Sequence, residues 1–183
     1  MIDIKITGIK ELRAALNGTT RQLPKELATA VNATAKKVSS EMSKQVRTEL
    51  VVKAADVKKV LKVRRKATQQ SIGAVVQLSE SARLPLKYFN ASQKRTGVSY
   101  KISKTDGRRT APGAFISAKL GGHAFKRTGK ARLPITKLYG ASPGGVYTKK
   151  HMEIKTIRDG STELTKQINK RIRFILLKKQ GLI

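Results

Sequence analysis

The sequence ARLPLKYFNASQ at residues 82–93 returns in part as ARLPITKLYGAS at residues 131–142. The two segments share the phrase Ala-Arg-Leu-Pro, and the chain between them is rich in Gly, Lys and Arg with a single acid, Asp106. A residue before Pro is restricted to extended geometry, and Pro has no amide hydrogen to donate. Each phrase is therefore predicted to lie at the edge or entry of a strand, with Leu and Ile pointing inward. The phrase is too short to indicate a duplicated unit.

Short alternating stretches around these phrases predict a small antiparallel sheet. Residues 98–102 alternate between apolar and polar side chains, which is typical of a half-buried strand. The Asp-Gly pair at 106–107 favours a tight reversal, so residues 114–118 are predicted to pair with residues 98–102 as a hairpin. Further strands are predicted at residues 2–6, 63–66 and 71–78.

A long amphipathic helix is predicted from about Gln22 to Leu50, with Pro24 in its first turn. Its apolar stripe is predicted to face the core, and the alternative is a seam with a partner helix. Further helices are predicted at residues 9–16, 52–61 and 146–157. A final helix at residues 162–179 would be capped by Gly160 or Ser161 and ended by Gly181. The stripe consists of Leu23, Leu27, Val31, Thr34, Val38, Met42, Val46 and Leu50.

These elements predict an α+β fold in which a small antiparallel sheet packs with a long N-terminal helix and a C-terminal helix. A length of 183 residues fits one domain, or one domain with an extension. We place the α+β domain at residues 1–145. Residues 146–183 form a C-terminal helical extension of the same domain, and the break between them falls at Ser142-Pro143-Gly144-Gly145.

The charge balance is the strongest compositional feature. The chain has 40 Lys and Arg against 11 Asp and Glu, a net charge of +29. Such an excess repels itself and implies a polyanionic neighbour: nucleic acid, an acidic protein surface or a membrane face. A solvated basic surface is the alternative. Because the chain has no Cys, disulfides and thiolate metal sites are excluded. With no apolar run typical of a signal peptide or membrane span, a soluble cytosolic product is expected.

Catalytic patterns are missing from the sequence. His123 and His151 stand apart, without metal-ligand spacing or the carboxylate and Ser of a triad. The Gly-Gly pairs at 121–122 and 144–145 match no phosphate-binding loop and are interpreted as turns. We therefore expect no enzymatic activity and no catalytic, metal or cofactor site.

Basic residues in the predicted turns are the candidate contacts. Lys and Arg on loops can meet phosphates without reading bases. Aromatic residues interleave with them, and two interpretations stay open: stacking on single-stranded bases, or the core of the sheet, which their alternating positions favour. The aromatic residues are Tyr88, Phe89, Tyr100, Phe115 and Phe125. The candidate contacts with DNA or another anionic partner are Lys94, Arg95, Arg108, Arg109, Lys126, Arg127, Lys130 and Arg132.

The region of the two phrases resembles the prophage minor tail protein Z family. The resemblance covers roughly residues 20 to 145 and departs from the family pattern at Ala141, where the family has Pro. It implies a structural virion protein that completes the head-proximal end of a phage tail and joins the tail to the head. The fold would be similar to that of tail-completion and tail-terminator proteins. The residues that carry it are AVNATA (30–35), residues 82–93, GVSYKI (97–102), PGAFI (112–116), Gly122-His123, Phe125-Lys126-Arg127 and residues 130–142.

The resemblance also implies partners. These are other tail and neck proteins: the tail tube, the tail terminator, the tape measure and the head–tail connector. A homo-oligomer such as a hexameric ring is expected, with non-specific contact to phage DNA, no membrane contact, and assembly in the host cytoplasm before incorporation into the virion. The alternative function is a stand-alone, sequence-independent nucleic-acid-binding protein, for which the charge of +29 is the argument.

Overall fold

The computed structural model describes residues 2–5 and 22–180 and confirms an α+β fold. None of the described helices is long and apolar enough to cross a bilayer. The helices of the described part are α1 (Leu23–Glu49), α2 (Ala54–Val57), α3 (Pro143–Lys149) and α4 (Met152–Lys179). Its strands are β1 (Ile2–Lys5), β2 (Leu61–Arg65), β3 (Gly73–Leu78), β4 (Ser92–Lys94), β5 (Gly97–Tyr100), β6 (Arg109–Pro112), β7 (Ala114–Ser117), β8 (His123–Arg127) and β9 (Ile135–Lys137).

The chain forms two compact units, each built from separated parts of the sequence. Unit 1 comprises Met1–Met42, Leu61–Gln77 and His151–Ile183, and unit 2 comprises Ser43–Val60 and Leu78–Lys150. Both copies of the Ala-Arg-Leu-Pro phrase, and all eight candidate contact residues, belong to unit 2. The domain boundary that we placed at residue 145 stays a prediction.

Helix α1 is the long helix that the sequence predicts. All eight residues of its stripe are buried, including Leu50 just beyond the helix end. Its one polar member, Thr34, donates its hydroxyl hydrogen to the Ala30 carbonyl at 3.0 Å. A buried hydroxyl without a partner would destabilise the core, and this bond removes that penalty. The core interpretation of the stripe is therefore confirmed.

Unit 1 contains a three-stranded sheet in the order β1-β3-β2. β1 runs antiparallel to β3, with Ile2 opposite Val76. This confirms the strands predicted near residues 2–6, 63–66 and 71–78. The side chain of Asn32 on α1 bonds both backbone groups of Ala67 at 2.9 Å, donating to the carbonyl and accepting from the amide. One amide side chain therefore fixes the segment after β2 to the helix.

Helix α4 begins earlier than predicted. It starts at Met152, so Gly160 and Ser161 lie inside the helix, and their assignment as caps is wrong. A Cβ on Gly160 would lie 3.0 Å from the Val38 side chain, so glycine permits close packing of α4 on α1. Tertiary packing offsets the roughly 1 kcal/mol that a glycine costs in a helix interior. The same two helices bury Leu23, Leu27 and Ile175 together.

The interpretation of Gly144-Gly145 as a turn is wrong, because a helix starts at Pro143 and contains both glycines. Ser142 caps α3 by accepting a hydrogen bond from the Gly145 amide at 3.3 Å, and Pro143 occupies the first turn. Both features suit a helix N-terminus. The helix predicted over residues 146–157 is divided between α3 and α4, and His151 between them has a left-handed backbone with φ of 49°.

Unit 2 contains two three-stranded antiparallel sheets, β4-β5-β6 and β7-β8-β9. Residues of both sheets share one apolar cluster: Val98 of β5, Ala114 of β7 and Ala124 of β8, together with Leu86. Two of its four buried members are alanines. The apolar cluster between these two sheets is therefore small, as the low aromatic content of the sequence suggests.

The predicted hairpin between residues 98–102 and 114–118 is wrong. β5 pairs with β6, which lies inside the segment interpreted as a turn, while β7 pairs with β8. The Asp-Gly reversal does occur, but the chain returns to β5 by Arg109. Gly113, with φ of 68°, then separates β6 from β7. A left-handed glycine at this corner redirects the chain after four residues of pairing.

The helix predicted over residues 52–61 is shorter in the structure. α2 ends at Val57, and Leu61 begins β2. The Val60 amide bonds the Val57 carbonyl at 3.1 Å, a three-residue closure that ends the helix. The Val60 carbonyl then accepts from the Ser79 amide at 3.2 Å, so sheet pairing takes over from helix. The predicted helix at residues 9–16 and the predicted stop at Gly181 lie outside the described residues.

Candidate partner-binding surface

The two segments that carry the resemblance pair with each other. The Leu86 amide donates to the Leu138 carbonyl at 3.0 Å, and the Gly140 amide donates to the Leu84 carbonyl at 2.8 Å. Between these bonds, Pro85 faces Tyr139 in an antiparallel bridge. The first Ala-Arg-Leu-Pro segment therefore joins the chain that follows the second, and the two distant segments form one structural element of unit 2.

The two copies of the phrase lie in different environments. Leu84 is 2% exposed, whereas Leu133 is 66% exposed. The predicted strand entry is confirmed for the second copy, since β9 begins at Ile135. The prediction that its Leu points inward is wrong. The backbone bonds at Leu84 tie the first copy to the core, while the second copy stands in the loop before β9, where an apolar side chain reaches solvent.

This part of unit 2 is free of acidic side chains over a long stretch. From Gly107 to Met152 the sequence contains ten Lys or Arg residues and no Asp or Glu. The stretch includes β6, β7, β8, β9 and α3. Two of these cations pair with acids outside the stretch, Arg109 with Asp106 and Lys150 with Glu49, and the others produce a positive potential over the β7-β8-β9 sheet and its loops. A polyanion near this stretch would therefore meet few carboxylates.

The structure gathers six of the eight candidate residues at one end of unit 2. The Gly113 amide donates to the Thr96 carbonyl at 3.2 Å, which places the β4-β5 turn beside the β6-β7 corner. Ala114 in that corner is opposite Lys126 near the end of β8. All six side chains are exposed. We call this group the basic end, and it consists of Lys94, Arg95, Lys126, Arg127, Lys130 and Arg132.

Arg108 and Arg109 do not join the basic end. Arg109 is opposite Tyr100, at the far end of the β5-β6 pair from the β4-β5 turn. Its guanidinium lies 3.4 Å from Asp106. The Arg108 guanidinium donates to the Asn90 carbonyl at 2.8 Å and to the Ser99 hydroxyl at 3.0 Å. Arg108 therefore holds a backbone turn in place in this structure, a bracing role that the sequence did not indicate.

The aromatic residues divide between two environments. Phe89 is fully buried, which confirms the core interpretation for that ring. Phe115 and Phe125 are directly opposite each other on β7 and β8, and both are partly exposed. Their neighbours Ala114 and Ala124 point into the apolar cluster, so alternation turns the two rings to the other side of the sheet. For these two residues the core interpretation is wrong.

We call this other side of the β7-β8-β9 sheet the aromatic face. The Phe115 and Phe125 ring centroids lie 6.2 Å apart, and the Arg127 guanidinium lies 5.1 Å from the centre of the Phe115 ring. The ammonium of Lys137 lies 5.6 Å from the Tyr139 ring, which is 49% exposed. The face consists of Phe115, Ser117, His123, Phe125, Arg127, Ile135, Lys137 and Tyr139.

Three lysines near this face were missed by the sequence analysis. Lys137 lies 3.2 Å from His123 Nε2, and the Lys87 ammonium donates to the Gly121 carbonyl at 3.0 Å. Lys59 lies 4.0 Å above the Tyr88 ring and donates to its hydroxyl at 2.8 Å. These residues come from distant parts of the sequence. Tertiary packing of a strand with two non-strand segments brings them together, so no local pattern could have identified them.

The pKa of His123 is lowered by its burial and by the lysines around the aromatic face. Burial lowers its pKa first, and the nearby charges of Lys137, Lys87 and Lys59 lower it further. A neutral ring accepts the Lys137 hydrogen bond at Nε2 and carries its own proton on Nδ1. Among the described residues, Nδ1 is buried without a hydrogen-bond partner. Protonation of His123 would place a fourth positive charge beside three lysines, so the charged form of the ring is disfavoured in the folded protein.

The lowered pKa of His123 predicts a pH-dependent stability. In the unfolded chain His123 titrates at about pH 6.5, above its pKa in the folded protein. As pH falls below about 6.5 the unfolded chain takes up the proton first, so the free energy of unfolding decreases. We expect the stability difference between the protein and a His123→Gln variant to fall between pH 7.5 and pH 5 in urea titrations. A difference that stays constant across this range would contradict the prediction.

The described residues also differ from the side-chain clusters that bind metal ions. In residues 2–5 and 22–180, no cluster of three or more His, Asp or Glu side chains could hold a metal ion. The concave regions of unit 2 include a cavity of about 410 Å³ lined by Lys44, Arg47, Lys53 and Lys104 together with Tyr88 and Asn90. Its charged lining is cationic, which matches the basic character of the rest of the unit.

The described chain combines an α+β fold with two paired signature segments and a group of exposed cations at one end of unit 2. The family model of prophage minor tail protein Z (GPZ) matches residues 6–179, and the chain belongs to this family. It is therefore a structural component of a phage tail, found in the virion and in contact with other tail proteins. No curated protein and no solved structure matches the chain. The expected similarity to tail-terminator structures stays a prediction.

Proposed function

We propose that this protein completes the head-proximal end of the tail and joins the tail to the head. Membership of the minor tail protein Z family supports a structural role in the tail. The observation that carries the finer proposal is the basic end, where six exposed cations lie together in a part of unit 2 without acids. A surface of this kind binds a polyanion, either the DNA that enters the tail channel or acidic faces of neighbouring tail proteins.

The net charge bears on assembly. A ring of n copies carries n times +29, so self-repulsion grows as the ring closes. Anions must offset this repulsion for the assembly to be stable. In our proposal the basic end supplies these contacts in each copy, and phosphate contacts would be independent of sequence and sensitive to salt. The neighbours in this proposal are the tail tube, the tail terminator, the tape measure and the head–tail connector.

Charge reversal in the loop before β9 tests the proposal. We expect Lys130→Glu with Arg132→Glu to reduce tail-to-head joining at least about tenfold, since each reversal changes an attraction of about 1 kcal/mol into a similar repulsion. The two residues are exposed, so the fold should survive. Joining is measured by adding the variant to tails assembled without this protein and counting infectious particles. Reversing Arg108 instead would remove its bonds to Asn90 and Ser99, which confounds binding with folding.

A matched variant separates local contacts from net charge. Lys170→Glu with Arg173→Glu makes the same change in charge on exposed positions of α4 in unit 1. We expect joining to stay near the level of the unmodified protein. Equal losses in both variants, or full activity of the loop variant, would contradict a role for the basic end.

The alternative function is a stand-alone nucleic-acid-binding protein, which the net charge of +29 favours. Fractionation of phage particles distinguishes this alternative from a tail component. A tail component stays with purified virions through washes in 1 M salt, where charges are screened beyond about 3 Å. A protein held only by phosphate contacts is lost in the same washes.

A further inference from the structure

The aromatic face has the composition of a surface for flat, negatively charged ligands. Phe115 and Phe125 form a pair of rings in its centre, with centroids 6.2 Å apart. Cations stand around them: Arg127 over Phe115, and Lys137 between His123 and Tyr139. This combination of rings and cations differs from the other five residues of the basic end, which are all exposed Lys or Arg side chains.

The sheet geometry turns these rings toward the outside of unit 2. Phe115 and Phe125 are directly paired across β7 and β8, and Lys137 of β9 is opposite Phe125. Paired residues lie on the same side of a sheet. The apolar cluster of unit 2 takes the opposite side through Ala114 and Ala124. Both rings keep part of their surface exposed, and Tyr139 at the end of the row is 49% exposed.

We propose that the aromatic face binds single-stranded nucleic acid by stacking bases on Phe115, Phe125 and Tyr139 while Arg127 and Lys137 contact the phosphates. Aromatic rings on neighbouring antiparallel strands offer bases apolar ring faces for stacking, here two rings inclined to each other by 32°, and the cations beside them can follow the backbone. The guanidinium of Arg127 is planar and can itself stack on a base. This binding of single strands can be measured on the isolated protein and is separate from the proposed joining of tail and head.

The chemistry of the face favours nucleic acid over an acidic peptide. A carboxylate needs donors at the point of contact, but the centre of this face is a pair of phenyl rings. Every base has a π-face that can use them. Duplex DNA keeps its bases stacked inside, so it could use only the cations at the rim. The face therefore predicts a preference for single strands over duplexes of the same length.

The test compares ligands and ring substitutions by fluorescence anisotropy. The probes are a labelled oligothymidine of about 12 nucleotides, within the range of roughly 4–16 covered by known single-strand sites, and a duplex of equal length. We expect the single strand to bind more tightly at equal salt. In Phe115→Leu with Phe125→Leu, charge and apolar character are kept, and single-strand affinity should fall at least about tenfold while duplex affinity is unchanged. Phe174→Leu, on an exposed ring of α4, should leave both affinities unchanged.

A second measurement does not depend on the variants folding. Bromodeoxyuridine-substituted oligonucleotide is crosslinked to the unmodified protein, and the labelled peptides should contain Phe115, Phe125 or Tyr139. Crosslinks confined to Lys94, Arg95, Lys126, Lys130 and Arg132, the members of the basic end that are not in the aromatic face, would overturn the proposal. So would equal affinity for single strand, duplex and polyglutamate, because that result shows binding by charge alone. Either failure leaves the tail-joining assay, which uses Lys130 and Arg132, as an independent test of the proposed function.

Discussion

Replacing Phe89 with alanine is expected to lower the free energy of unfolding of unit 2 by about 3–5 kcal/mol, the range for removing a buried phenyl ring. Phe89 is 0% exposed and is among the largest fully buried side chains of the described chain. Its ring lies so close to Gly140 that a Cβ there would overlap it. Since Gly140 also bonds Leu84, the cavity would form beside the pairing of the two signature segments.

Urea unfolding measures the loss, and hydrogen exchange localises it. Amides of β5 and β8 should exchange faster in Phe89→Ala, because unit 2 contains both strands. Phe174→Ala is the control, since that ring is 41% exposed on α4 and its removal should cost less than about 1 kcal/mol. A loss for Phe89→Ala no greater than for the control would contradict the burial of this ring.

Replacing Gly97 with alanine is expected to destabilise unit 2 by about 3–5 kcal/mol, because strained backbone and overpacking each cost about 1–3 kcal/mol. Gly97 begins β5 with φ of 148°, a conformation that side-chain-bearing residues rarely adopt. An added Cβ would overlap the Ala111 carbonyl oxygen and lie 3.0 Å from its carbon. These atoms belong to the backbone of β6, so the strands would have to separate.

Two other glycines separate the cost of backbone strain from the cost of steric overlap. Gly113 has φ of 68°, but a methyl group added there would have no atom within 4 Å, so Gly113→Ala should cost about 1–2 kcal/mol from backbone strain alone. Gly107 has neither feature, and Gly107→Ala should change stability by less than about 0.5 kcal/mol. The measurement is the midpoint of urea unfolding for each variant. Equal effects at Gly97 and Gly113 would show that the clash with β6 is absent.

Elements whose signal is local could be predicted from the sequence. The stripe of α1 repeats every three to four residues, and each of its members is buried as predicted. Strand β5 (Gly97–Tyr100), predicted at residues 98–102, and the end of α4 near Lys179 follow from the same kind of pattern. In each case one segment of chain carries the whole signal, because helical and strand periodicity depend on neighbours in sequence.

Several predictions that depended on tertiary contacts or on strand pairing were wrong. The pairing of β5 with β6 rather than β7 depends on where Gly113 turns the chain, which composition does not show. Gly160 resembles a helix cap until Val38 is known to face it. Arg108 looks like a free loop cation, but its guanidinium holds the Asn90 carbonyl. The last two cases depend on contacts with residues distant in sequence, whereas the hairpin depends on the position of a turn that the local pattern does not locate.

The sequence by itself determined the charge of +29, the long stretch without acids, the buried stripe of α1 and the family signature around residues 82–142. Only the tertiary structure decided which side of the β7-β8-β9 sheet faces outward. Alternation separates Phe115 and Phe125 from Ala114 and Ala124, but it is symmetric and does not say which set is buried. In the structure Ala114 and Ala124 join Leu86 and Val98 in the apolar cluster. The rings are therefore left on the outer side, among the cations.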